Sequence, residues 1–281
     1  MNNFRIDFPR GISLCLDNSL AVMGVINCTP DSFYDGGKYS SADEAVERAL
    51  RMEEEGAKII DVGGESTRPG SKRVDAKEEL SRVIPVVKKL RKKSKILISV
   101  DTYKSEVATA ALDNGADLVN DISGFDFDAK MPETIAHFGC PVIIGHIKGK
   151  PETMQKGVKY RNVVNEVMKK LEDKTDMAVK SGIRKDLILI DPGIGFGKKV
   201  EDNLRIIKYL NQIKKLERPI VIGASRKSFI GKILDVEPEE RLEGSLAVAS
   251  IAALNGADII RAHDVKETVR ALKVVESILS A

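Results

Sequence analysis

The chain has 281 residues, 42% of them hydrophobic and 31% charged, which suits one large α/β domain or two small ones around a full core. A formal net charge of +3, aromatics at 5% and no tryptophan leave neither the basic footprint nor the stacking surface of a nucleic-acid binder. Cys15, Cys28 and Cys140 are odd in number and lack C-x-x-C spacing, which argues against a disulfide framework or structural zinc and for a reducing cytosol.

No apolar run approaches the ~18 residues of a membrane span, and the N-terminus lacks a signal peptide's apolar core. A cytoplasmic chain away from membranes is expected. Residues 4–19 alternate weakly about Pro9-Arg10-Gly11 and read as a hairpin covering one end of the main repeat. The first buried strand is 21–27, with a long polar loop after it. Ser41-Ala-Asp-Glu44 carries a capping-box signature for a helix running to about Gly56. A strand over 58–62 leads into the glycine-rich loop 63–70 and a helix over about 75–93. Next come a strand at 96–101, a helix at about 104–114, a strand at 117–120 and a helix near 129–138. The strand 141–146 leads to a loop ending at about 158 and a helix ending at about 181. Strand 187–191 precedes a helix over about 202–215, strand 219–224 a helix over about 241–255, and strand 258–262 a helix from 265 to 280.

Eight strand–helix units predict a (β/α)₈ TIM-type barrel, a single domain over 1–281 with the short N-terminal hairpin in 1–20. A doubly wound open sheet is the alternative. Gly56-Ala57, Gly115-Ala116 and Gly256-Ala257 each stop a helix before a strand, which favours the repeated unit. In such a barrel the βα loops at the C-terminal face carry the site.

Polar residues collect at that face. Asp101, Asn120 and Asp191, with Lys227, suit a slot that hydrogen-bonds a flat heterocycle bearing several N–H donors and a carbonyl. Capping of neighbouring helices explains one such carboxylate; four residues on four strands favour a site. Arg261 and His263 lie just after the eighth strand, where these barrels often bind phosphate; an ion pair of Arg261 with Asp264 or Glu267 is the alternative. Asn27 and the residues after it could offer oxygen ligands to Mg²⁺; an Asx turn at Asn27 is the alternative. Cys28 is open to a similar choice between nucleophile and turn residue, and the turn is favoured. Gly63–Gly70 suits a loop that closes over substrate. There is no P-loop, and Gly193-x-Gly195-x-Gly197 lacks dinucleotide-site spacing, so neither an NTPase nor a dehydrogenase is supported.

Seven segments, in order, resemble the dihydropteroate synthases of the folate pathway: Asn27–Phe33, Gly64–Gly70, Ser99–Thr102, Asn120–Gly124, Asp191–Lys198, Gly223–Lys227 and Arg261–Asp264. The match runs over about 21–270. The resemblance implies condensation of 6-hydroxymethyl-7,8-dihydropterin diphosphate with p-aminobenzoate, giving 7,8-dihydropteroate and pyrophosphate, in a Mg²⁺-dependent homodimer of a sulfonamide-target family. It implies that Asp101, Asn120, Asp191 and Lys227 hold the pterin, with Phe196 and Gly223 beside it. Asn27 would bind Mg²⁺ on the diphosphate, and Thr67, Arg261 and His263 the diphosphate itself. Phe33, Arg68, Pro69 and Ser225 would form the p-aminobenzoate pocket. Asp101, Asp191, Lys227 and Arg261 would carry the catalysis, with no covalent intermediate and no dedicated strong base.

One segment departs from the pattern. The family commonly shows Met-His-Met where this chain has Gly145-His146-Ile147, and Ile144 is expected to fill part of the missing methionine's space. Two rival readings remain. A pterin-dependent methyltransferase lacks the Ser-Thr-Arg-Pro-Gly and Ser-Arg-Lys segments present here. A non-catalytic pterin-binding paralogue should have lost Asn27, Thr67, Arg68 or Lys227, all of which are retained.

Overall fold

The computed structural model describes residues 4–16, 19–29, 41–67 and 70–281. A two-stranded antiparallel hairpin, β1 (Arg5–Asp7) and β2 (Ser13–Cys15), precedes eight parallel strands. These are β3 (Ala21–Asn27), β4 (Ile59–Gly63), β5 (Leu97–Asp101), β6 (Leu118–Asp121), β7 (Val142–Gly145), β8 (Ile188–Asp191), β9 (Val221–Gly223) and β10 (Ile259–Ala262). Their order, β8-β7-β6-β5-β4-β3-β10-β9, is that of a ring opened between β8 and β9, and the bridge between Ile190 and Ile220 nearly closes it. Pro219 has no N–H to extend that ladder, and the Ile220 N–H is taken by the Asp258 carboxylate at 2.8 Å, so β9 is shorter than its apolar run.

The helices are α1 (Ser41–Glu54), α2 (Ala76–Lys93), α3 (Ser105–Asp113), α4 (Met131–Phe138), α5 (Val163–Lys180), α6 (Val200–Lys208), α7 (Leu210–Ile213), α8 (Ser228–Leu234), α9 (Leu242–Leu254) and α10 (Val265–Ser280). Ser41 lies within α1, not at its cap as the motif suggests. The single helix expected over 202–215 breaks at Tyr209, where the Asn255 amide donates to the Ile207 carbonyl at 2.9 Å. The short α8 is an element that the sequence pattern does not predict. It packs Gly231 against the Arg241 guanidinium, where a Cβ would come within 2.4 Å. Among the described residues, no helix is long and apolar enough to cross a membrane.

Strand alternation makes the site. Side chains at i and i+2 share a face. Ile59, Leu97, Leu118, Ile143, Leu189, Val221 and Ile259 form one buried cluster inside the barrel, while Ile60, Ile98, Val119, Val142 and Ile260 join the outer layer against the helices. Two residues further along each inward row stand Asp61, Ser99, Asn120, Gly145, Asp191, Gly223 and Arg261, and two residues beyond Ser99 comes Asp101. Polar groups therefore sit above an apolar floor.

The hairpin closes that floor from below, with Ile6, Phe8, Leu14 and Leu16 joining the inner cluster. It is fastened by wholly buried Asp117, which accepts from Arg10 Nε and Arg91 Nη2, each at 2.6 Å, and from the Ile98 N–H at 2.8 Å. Replacing Asp117 by Ala strands two guanidinium groups and a backbone donor in a partly buried place. The expected cost is about 3–5 kcal/mol, read as a lower urea midpoint. Arg10→Ala, whose partner keeps Arg91, should cost about 1 kcal/mol. Equal and small effects would show that the hairpin is not held this way.

Candidate active site

The centre of the barrel mouth is Arg261, projecting inward from β10. Its Nε donates to Asp61 Oδ2 at 2.6 Å and its Nη2 to Asp101 Oδ2 at 2.7 Å. The Asn120 amide donates to the same Asp61 oxygen at 3.0 Å. Arg261 thus ties β4 and β5 to β10, and Asn120 joins β6 to the network through Asp61. Asp61 is fully buried, and its other oxygen has no hydrogen-bond partner among the described residues. A fork donor against two carboxylates leaves one negative charge uncompensated. Burial pushes the Asp101 carboxyl up to about 7; Arg261 opposes this and Asp61 adds to it. Burial pulls the Arg261 guanidinium down, and the two carboxylates more than offset it, so its pKa is raised.

Asp191 ends β8 and accepts from the Gly193 N–H at 2.7 Å. Burial raises its pKa, against the opposing charge of Lys227. Lys227, on the loop after β9, donates to the Ile194 carbonyl and lies 4.1 Å from the Phe196 ring centroid. Burial brings its ammonium down to about 8. Asp101, Asn120, Asp191, Lys227, Phe196 and Arg261 are therefore brought to one mouth. Gly223 sits in register with Arg261, where a Cβ would touch Arg261 Cδ at 3.6 Å.

The loop after β8 is held by Lys198, a residue to which the sequence pattern assigns no role. Lys198 is 2% exposed. Its ammonium donates to the carbonyls of Gly193 at 2.8 Å and Phe196 at 3.1 Å and to His146 Nδ1 at 3.0 Å. Burial lowers Lys198 to about 7, and burial with the charge of Lys198 lowers His146 to about 2, so His146 stays neutral and Nδ1 accepts. Gly193 (φ 71°) and Gly197 (φ 62°) allow this packing, since a Cβ would fall 1.8 Å from the His146 carbonyl oxygen and 2.3 Å from that of Lys148.

Loops after β9 and β10 are joined to each other. Arg226 forks onto Asp264 at 2.8 and 2.7 Å, from a left-handed backbone (φ 56°). Ser225 Oγ meets the His263 N–H at 3.2 Å and His263 Nδ1 at 3.1 Å. Arg226, rather than Arg261, is the partner of Asp264. Asn27 ends β3, half-buried and in register with Gly63, and half-buried Thr67 lies on the loop after β4. Phe33, Arg68 and Pro69 lie outside the described residues. Cys28 is buried, and burial pushes its thiol up to about 12, so it does not serve as a nucleophile.

Gly145 has a structural reason. Asp121 closes a turn by accepting from Ser123 and Phe125, and that turn lies over β7. A Cβ on Gly145 would meet Ile122 Cα at 2.6 Å and the Asp121 carbonyl oxygen at 2.8 Å. Backbone thus takes the space. Ile144 does not, because it belongs to the outer layer against the helices.

A family model described as pterin binding enzyme matches residues 23–263. Dihydropteroate synthase of Escherichia coli (strain K12) is 47% identical over 274 residues, 98% of this chain and 96% of its own. The crystal structure of Yersinia pestis dihydropteroate synthase in a sulfonamide drug complex superposes with a TM-score of 0.93 at 42% identity, covering 99% of this chain and 100% of that one. Xanthomonas albilineans dihydropteroate synthase in complex with 7,8-dihydropteroate gives 0.90 at 38% identity, covering 99% of each chain.

Carboxyl-carbon NMR should find Asp101 titrating near pH 7. Arg261→Ala removes the group that holds it down and should move the midpoint higher. A midpoint at the ordinary aspartate value of about 4 would contradict the burial of Asp101, and a midpoint that Arg261→Ala leaves unmoved would contradict the shared guanidinium.

Proposed function

The chain belongs to the dihydropteroate synthases among the pterin-binding enzymes, and on that premise we propose which of its residues carry the condensation of 6-hydroxymethyl-7,8-dihydropterin diphosphate with p-aminobenzoate. The observation that carries the assignment is the meeting of Asp101, Asn120, Asp191 and Lys227, from three strand ends and the loop after β9, around one mouth. The three acceptors read the pterin's N–H groups, Lys227 its carbonyl, and Phe196 packs along the ring.

Arg261 and His263 take the diphosphate. Arg261 keeps Nε and Nη2 on its carboxylates, and among the described residues Nη1 has no such partner, which suits a phosphate oxygen. Ser225 orients His263, and the p-aminobenzoate side of the site is assigned to Phe33, Arg68, Pro69 and Ser225. As the diphosphate departs, positive charge grows on the pterin methylene and spreads into the ring. Asp101 and Asp191, fixed before the reaction begins, favour that charge. The arylamine nitrogen has an available lone pair and needs positioning more than deprotonation. No enzyme-bound covalent intermediate is required.

Mg²⁺ fits as a cation carried with the diphosphate. Among the described residues there is no group of three or more His, Cys, Asp or Glu that forms a metal cage, and the Asn27 amide offers one hard oxygen. Bound there, the ion would supply charge neutralisation on the leaving group.

A homodimer is proposed from the outer faces of α9 and α10. Beyond Glu243, α9 has no charged residue, and it exposes Ile251 and Leu254, while α10, packed against it, exposes Val274 and Ile278. Free Cys15, with Cys28 and Cys140, accords with a cytoplasmic setting.

Pyrophosphate release and dihydropteroate formation, measured together, should run one for one and stop on removal of Mg²⁺. Release without product, or tight pterin binding without release, would reject the assignment. Ile251→Glu together with Val274→Glu should give a monomer by sedimentation where the parent chain is a dimer; a monomeric parent would reject that interface.

A further inference from the structure

A second buried ionic cluster lies beside the site, and none of its residues is assigned to substrate. Glu65, Glu79 and Lys104 are 8%, 1% and 7% exposed. The Lys104 ammonium donates to Glu65 Oε2 at 2.5 Å and to Glu79. The Tyr103 hydroxyl donates to Glu65 Oε1 at 2.6 Å. Tyr103 and Lys104 come two and three residues after Asp101, so the cluster begins where β5 delivers its site carboxylate.

Glu65 has one more partner. Its Oε2 accepts from the Val74 N–H at 3.2 Å, nine residues further along. A single carboxylate therefore joins the two ends of the stretch that carries Thr67. The near end is also packed tightly: a Cβ on Gly64 would come 2.9 Å from Glu79 Cγ, and the Gly64 carbonyl accepts from Arg82 Nη1 at 2.8 Å. At the far end Arg73 stacks over the Tyr103 ring at 5.3 Å. The Gly70 N–H donates to the Pro151 carbonyl at 3.1 Å, which ties the stretch to the loop after β7.

Buried ion pairs are poor sources of stability, because desolvation offsets the attraction. Burial raises the Glu79 carboxyl against the pull of Lys104, which shows that desolvation is felt here. An apolar cluster would fill the same space at less cost. It would not hold residue 74 to residue 65 with a directional bond. Shortening the free span of a loop lowers the entropy lost when its side chains engage a ligand.

We propose that Glu65 is a positioning residue: held by Tyr103 and Lys104, it joins residue 65 to residue 74 and so sets where Thr67 meets the diphosphate of the pterin substrate. The proposal rests on the assignment of Thr67 to the diphosphate. It predicts an effect confined to the charged tail of the substrate, because the pterin slot, built from β5, β6, β8 and the loop after β9 that carries Lys227, does not use Glu65.

The test compares Glu65→Gln, Tyr103→Phe, Lys104→Arg and Thr67→Ala in the full-length enzyme. Two quantities are measured: KM for the dihydropterin diphosphate, and affinity for 6-hydroxymethyl-7,8-dihydropterin lacking the diphosphate. Glu65→Gln and Tyr103→Phe should raise that KM by about 10-fold and leave the second affinity within about twofold. Thr67→Ala should act in the same direction, and Lys104→Arg should retain most of the parental behaviour. Tyr103→Phe removes only a hydroxyl, so it keeps the test open if Glu65→Gln does not fold. A raised KM for Thr67→Ala with parental values for the other variants would overturn the proposal while sparing the Thr67 assignment. No effect of Thr67→Ala would overturn both. Equal losses of both affinities in Glu65→Gln and Tyr103→Phe would mark the cluster as merely structural and overturn the proposal.

Discussion

The centre of the barrel mouth depends on one guanidinium shared by two carboxylates. Arg261 has Asp61 on one donor and Asp101 on another, and Asn120 leans on the same Asp61 oxygen. The arrangement fixes three site residues from three strands in one network. It also leaves the site short of positive charge, which adds to the burial that holds Asp101 near 7. A site short of one positive charge is prepared for a substrate that develops one. On the proposed assignment, the residues that would bind the ring also favour the cation formed as the leaving group departs.

The barrel supplies this geometry through parity. Each strand alternates inward and outward, so an apolar residue on the floor fixes a polar one two steps above it. Leu118 precedes Asn120, Leu189 precedes Asp191 and Ile259 precedes Arg261 in this way. The loops then add what strands cannot. Lys198 fastens the turn that carries Phe196, and the Arg226–Asp264 fork brings Ser225, Lys227 and His263 together. Both are cations committed to structure inside a site whose ligand is an anion.

Much of this is legible in the sequence, for identifiable reasons. Apolar runs ending in Asp101, Asn120 and Asp191 mark buried parallel strands, and strand ends are where such barrels work. Asp61 is not legible. It lies mid-strand in Ile-Ile-Asp-Val-Gly, and only the ring of strands shows that its face meets Arg261. Lys198 is hidden because a lysine after a glycine run reads as solvated, whereas here three acceptors from one turn and its neighbour surround it. The contact that gives Gly145 its identity is with backbone far away in sequence, at Ile122, and the expectation that Ile144 fills its space fails on the direction of one side chain. The short α8 escapes prediction because seven residues containing Gly231 carry too little helical pattern. Phe33, Arg68 and Pro69 lie outside the described residues.

The most direct test of the central claim is a crystal structure with 6-hydroxymethyl-7,8-dihydropterin diphosphate bound. The account predicts the ring's N–H edge against Asp101, Asn120 and Asp191, with Lys227 at its carbonyl. It predicts that Arg261 still bridges Asp61 and Asp101 while a further guanidinium nitrogen meets the diphosphate. A pterin bound elsewhere, or an Arg261 that abandons both carboxylates to reach the phosphates, would contradict it.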